Sequence, residues 1–182
     1  MASARQIWTI GHSNLPIEEF LALLGAHHME AIADVRQFPG SRRHPHFHEQ
    51  ALSGSLTGAG IEYHSFRDLG GRRTPRPDSP NTAWRNAGFR GYADYMETAA
   101  FRAGIERLME LAARKRTAVM CAEVLWWRCH RSMISDYLKA AGVLVTHILG
   151  PAKTELHPYT AAARIVDGRL TYTPAPGEML FE

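Results

Sequence analysis

Short apolar runs with β character alternate along this chain with stretches of helical periodicity, and that alternation constrains the fold more than any other feature. Strands are predicted over residues 7–10, 31–35, 61–66, 117–122 and 143–149. Between the first two, Ile17, Phe20, Leu21 and Leu24 recur at the spacing of one helical face. Pro16, Glu18 and Glu19 suit the first turn of that helix. A short helix is expected over 49–59. Helical structure is expected again from Tyr92, with Phe101, Ile105, Leu108, Met109 and Ala112 as its apolar stripe. A last helix over 130–141 would bury Met133, Ile134, Tyr137, Leu138 and Ala141, with Gly142 as its C-terminal cap. Strands separated by helices pair in parallel, so the reading is an α/β protein: a mostly parallel five-stranded sheet with helices on both faces. In the tail, Asp167-Gly168 marks a β-hairpin expected to cover an edge or a face of that sheet.

The 182 residues suffice for one domain with a real core. The expectation is a single unit with its core at 7–150 and an extension over 151–182. No run approaches the ~18 apolar residues of a membrane span, and the start lacks the pattern of a secretory signal. A cytoplasmic protein with no membrane partner is therefore expected. Both cysteines, Cys121 and Cys129, lie close together. In a reducing compartment such a pair serves catalysis, redox or metal binding more often than architecture. Nine arginines and no lysine fall between Arg36 and Arg90, against four acids. Arginine forks bidentately onto phosphate and carboxylate, so this bias points to anions. Residues 67–88 contain three prolines and read as a long functional loop or a mobile linker.

Ligands of open parallel sheets bind beyond the carboxyl ends of the strands. His12 and Ser13 follow the first predicted strand, Asp34 and Arg36 close the second, and Cys121 with Glu123 closes the fourth. Cys129, His130 and Arg131 then open the last helix, where free N–H groups and the helix dipole lower a thiol pKa and attract anions. Cys121, Glu123, Cys129 and His130 are the catalytic candidates: a thiolate, a histidine that acts as base, and a carboxylate that orients it. His12, Ser13, Asp34, Arg36, Ser41, Arg42 and Arg131 are the candidates for holding the anion. Ser13 also fits a helix cap, and Asp34 fits an ion pair with Arg36.

The pattern points to a thiol-dependent transferase or hydrolase acting on an anionic substrate, nucleotide or nucleic-acid-derived. A second reading is a nucleotide- or nucleic-acid-binding module without chemistry, with Trp84, Trp126 and Trp127 stacking on bases. A third is a metal site built from Cys121, Cys129, His130 and His12, although the cysteine spacing exceeds that of structural zinc sites. His44, His46 and His48 suit a loop. No cofactor or oligomeric state is indicated.

Five motifs together resemble a bacterial family, domain of unknown function 488. They are TIGHS (9–13), DVR with PGSR (34–36, 39–42), LGG (69–71), FRGYADYM (89–96) and CAE…WRCHRSMISDYL (121–138). The resemblance spans about residues 7–150 and implies an α/β domain with a shared polar site. A looser likeness is to Rossmann-like folds of the rhodanese and cysteine-phosphatase kind, where a Cys ends one strand before an Arg-headed helix. Nine residues lie between Cys121 and Arg131, more than in the short Cys-x5-Arg loop of those folds.

Overall fold

A computed structural model describes residues 5–40 and 42–178. Six strands form one sheet in the order β3-β2-β4-β1-β5-β6. They are β1 (Gln6–Gly11), β2 (Ala31–Asp34), β3 (Glu62–Ser65), β4 (Thr117–Cys121), β5 (Leu144–Gly150) and β6 (Lys153–Leu156). The first five pair in parallel, as expected from the alternation. The sixth does not: it folds straight back on β5 and pairs antiparallel. The sheet is therefore mostly parallel with one antiparallel edge, not purely five-stranded. The Gly150-to-Lys153 reversal is too short for the crossover that parallel pairing needs.

Five helices cover the sheet: α1 (Ile17–Ala26), α2 (Glu49–Gly58), α3 (Ala87–Tyr95), α4 (Ala99–Arg114) and α5 (Arg131–Ala140). Alternate strand residues feed two cores. Trp8, Ile10, Ile32, Ala118 and Met120 meet Phe20 and Leu24 of α1 and Leu52 and Leu56 of α2. Ile7, Ala33, Val119 and Cys121 meet Tyr92 of α3, Phe101 and Leu108 of α4, and Ile134 and Leu138 of α5. Burying each of these large side chains stabilises the fold by about 1.5–3 kcal/mol before entropy is counted.

Local signals set most boundaries. Gly142, at φ +81°, follows α5; its N–H reaches Lys139 O while the Val143 N–H reaches Leu138 O, the paired bonds of a Schellman end. The helix predicted from Tyr92 starts earlier, because Asn86 accepts the Phe89 N–H and caps α3 at Ala87. Thr98 likewise opens α4. Ser13 is not a cap: α1 starts after Pro16 with no side-chain cap, and Ser13 takes φ +48° in a tight turn.

The segment 67–88 is neither a linker nor loose. Asp94 of α3 accepts the Arg76 N–H, the Ser79 hydroxyl and the Asn81 amide, which fastens the irregular chain to the helix. The hairpin forms as β7 (Arg164–Val166) and β8 (Arg169–Thr171), with Asp167 and Gly168 both at positive φ. It covers α5 and not the sheet: Tyr172, just after β8, donates its hydroxyl to Asp136 of α5. Among the described residues no helix is long and apolar enough to cross a membrane.

Candidate thiol site at the carboxyl rim of the sheet

Parallel register carries the rim. Gly11 at the end of β1 lies beside Cys121 at the end of β4, and Asp34 at the end of β2 lies beside Met120. The chain leaves β4 through residues 122–128, makes one 3-10 turn, and enters α5 at Arg131. That return brings Cys129 Sγ to 2.8 Å from Cys121 Sγ, and both thiols are free. The two cysteines and His130 line an open cleft of about 470 Å³ together with Arg72, Arg128, Glu123, Phe38 and Tyr92.

The thiols are polarised by what surrounds them. Burial pushes the Cys121 thiol up, but the hydrogen bond from Cys129 and the Arg131 charge outweigh it, and its pKa is lowered. Cys129 is raised well above the ordinary thiol value, first because it gives its hydrogen bond to Cys121 and then by burial. Cys121 is therefore the more acidic thiol of the pair, and Cys129 gives it a hydrogen bond. The Arg131 N–H, in the first turn of α5, adds a contact to Cys129 Sγ at 3.4 Å.

Arg131 is the unusual group. Its side chain is 1% exposed. Among the described residues it has no carboxylate partner. Nη2 donates to Val124 O at 3.1 Å, while Nε and Nη1 find no acceptor. A buried cation without a counter-ion is costly, and Cys121, whose pKa the Arg131 charge helps to lower, would supply one on ionising.

His130 is held neutral, its pKa lowered to about 4 chiefly by burial. Nε2 donates to Val35 O at 3.1 Å, so Nδ1 keeps its lone pair, 3.5 Å from Cys129 Sγ. The Val35 carbonyl orients the ring. Glu123, expected to do so, instead accepts the Leu125 N–H and steadies the loop. A side chain at Gly71 would start 2.9 Å from His130 Nδ1, so this glycine lets the imidazole sit where it does.

The other rim residues are built into the scaffold. Arg36 grips Asp34 with Nε and Nη2 at 2.9 and 2.7 Å, and its Nη1 donates to Phe47 O. Tyr63 adds a bond to Asp34. His12 stacks on Phe47, with Nδ1 2.8 Å from Ser13 O and Nε2 3.3 Å from Arg36 Nη1. Arg36 can only donate, so His12 Nε2 accepts and Nδ1 carries the proton. Of the six described residues expected to hold an anion, only Arg36 lines the cleft, and most of its guanidinium is already bonded. Ser13 lines a separate groove, Arg42 is exposed and is not among the residues lining the cleft, and Ser41 lies outside the described residues. Arg72 and Arg128, which are not among the candidates, line the cleft as well and are exposed.

The tryptophans divide similarly. Trp126 is buried and stacks on His147 at 4.5 Å, Trp84 packs on Phe89 and Tyr172, and Trp127 faces the other groove. Among the described residues no three His, Cys, Asp or Glu side chains are arranged to hold a metal ion. Both nitrogens of His12 are engaged within the protein.

Residues 16–138 match the family described as domain of unknown function DUF488. The chain belongs to this family. No curated protein and no solved structure matches it significantly. The DUF488 region includes both cysteines, His130 and Arg131 but leaves out β1, with Gly11 and His12, and the whole extension after α5.

Gly11 tests how closely the DUF488 site depends on that first strand. A Cβ there would sit 1.9 Å from Glu123 O, on the loop between the thiols. Gly11→Ala is expected to cost about 1–3 kcal/mol by forcing the loop outward and to change the alkylation rate of Cys121. Thermal unfolding unchanged from wild type would show that the loop yields freely.

Proposed function

We propose that this chain is a thiol-dependent enzyme acting on an anionic substrate, with Cys121 as its nucleophile. The observation that carries the reading is the buried Arg131 without a carboxylate, set behind two thiols 2.8 Å apart that line a cleft. Arg72 and Arg128 at the cleft support the anionic class. The Cys121 thiolate attacks an electrophilic centre, its new bond replaces that to the leaving group, and a second acceptor or water then releases the product. That is the chemistry of a transferase or hydrolase.

The nucleotide part of the reading has the support of Phe38, 66% exposed with Arg72 over its ring, and nothing further. Base stacking on the tryptophans has less, because Trp84 and Trp126 are occupied by packing. A rhodanese- or phosphatase-like relation is supported by Cys121 ending β4 and Arg131 heading α5. Two free thiols suit a reducing compartment such as the cytoplasm. One unit over 1–182 is supported by the hydrogen bonds from the extension into α5.

The test is alkylation with iodoacetamide across pH. One thiol is expected to react first, with an apparent pKa below the ordinary ~8.5, and Cys121→Ser should abolish that fast phase. If neither thiol of the folded protein reacts with a lowered pKa, the nucleophile assignment falls.

A further inference from the structure

The second cysteine has no task in a simple transfer or hydrolysis, yet it is the residue closest to the nucleophile. We propose that Cys121 and Cys129 form a dithiol–disulfide couple whose substrate is a low-molecular-weight disulfide bearing carboxylates. The inference rests on Cys121 being the nucleophile and names what that nucleophile attacks.

Three observations carry it. The sulfurs stand 2.8 Å apart, against about 2.05 Å in a disulfide, so less than an ångström of movement joins them. Both line the same cleft, so a group bonded to Cys121 lies within reach of Cys129. Two of the cationic side chains that line that cleft, Arg72 and Arg128, are exposed and match carboxylates on the incoming molecule.

In the first step the Cys121 thiolate attacks one sulfur of R–S–S–R. A Cys121–S–R bond forms, and R–S⁻ leaves and takes a proton from solvent. The charge that had held the proton on Cys129 is now gone. Cys129 keeps the Arg131 N–H at 3.4 Å, which favours its thiolate, and gives up its proton to solvent at the open cleft that both thiols line. Cys129 Sγ then attacks Cys121 Sγ, the protein disulfide forms, and the second R–S⁻ leaves and takes a proton from solvent. The two cysteines lose two electrons and two protons, and the substrate disulfide is reduced to two thiols.

The experiment uses the whole reduced protein without oxygen. It compares dithiodipropionate, neutral hydroxyethyl disulfide and cationic cystamine, with mass spectrometry of the products. Wild type is expected to lose two hydrogens, gain no adduct and release two thiols. Cys129→Ser is expected to stop as a stable mixed disulfide on Cys121. Dithiodipropionate should react about tenfold faster than cystamine at low salt, and Arg72→Ser/Arg128→Ser or high salt should remove the preference.

A wild type that accumulates the same stable adduct as Cys129→Ser overturns the couple while leaving Cys121 a nucleophile. Equal rates for the three disulfides at low salt overturn the carboxylate preference. A Cys121 that neither disulfides nor iodoacetamide modify overturns this inference together with the reading beneath it.

Discussion

Asp136→Ala is expected to remove about 3–5 kcal/mol of stability, the cost of breaking a buried charged network by deleting one member. The carboxylate is fully buried in α5. It accepts His157 Nε2 at 2.7 Å, the Thr160 N–H and hydroxyl at 2.8 and 2.6 Å, and the Tyr172 hydroxyl at 2.8 Å. The chain continues inward, because His157 Nδ1 faces His147 Nε2 at 2.9 Å and His147 Nδ1 faces Thr9 Oγ1 at 2.6 Å. One proton arrangement that satisfies every link has Thr9 donate to His147, His147 to His157, and His157 to Asp136. Removing the terminal acceptor orphans several buried donors at once. Asp136→Asn should recover little, since its amide places a donor among donors. Urea unfolding measures the loss, and proteolysis should become faster after residue 157 as the extension detaches. A loss below about 1 kcal/mol would mean that the network contributes almost nothing to holding the extension on α5.

Acid is expected to unfold this protein cooperatively between about pH 6 and pH 4. Burial is the largest cause that holds His12 and His130 down to about 4 and His147 to about 2, against 6.5 for a free imidazole. Above pH 6.5 these groups are neutral in both states and their contribution is intact. Below it the unfolded chain takes up protons that the folded one refuses. Each imidazole then costs about 1.4 kcal/mol per pH unit until its folded pKa is reached. Three such groups together approach the whole stability of an ordinary domain, about 5–15 kcal/mol. Urea midpoints taken at several pH values would show the decline, and a stability flat between about pH 7 and pH 5 would contradict the neutral, buried assignment.

The site was legible only in part. Cys121, Cys129, His130 and Arg131 announce themselves because they crowd one strand-to-helix passage, and the structure does bring them together. Arg36 and Asp34 looked like ligand groups because they end a strand, yet they close on each other and on His12 and Phe47. Arg72 and Arg128 gave no signal of their own, one being counted only within the arginine bias of 36–90 and the other standing unremarked inside the WRCHR motif. Arg72 sits at φ +59° in a segment fastened to α3 by Asp94, and its arrival at the cleft depends on contacts made far along the chain. Strand β6 was missed for a related reason: a four-residue, mostly exposed edge strand has too few buried positions to show a period.

Apolar period determined by itself that strands and helices alternate, that five strands run parallel, and that polar groups gather where those strands end. Periodicity is a local property, carried within each dozen residues. What only tertiary structure decided is which of those groups touch. Strand β4 inserts between β1 and β2, neighbours it meets across more than eighty residues of chain. That pairing sets the thiols against a buried, uncompensated Arg131 and locks His12 to Arg36, and pairings at such range leave no mark in any single stretch of sequence.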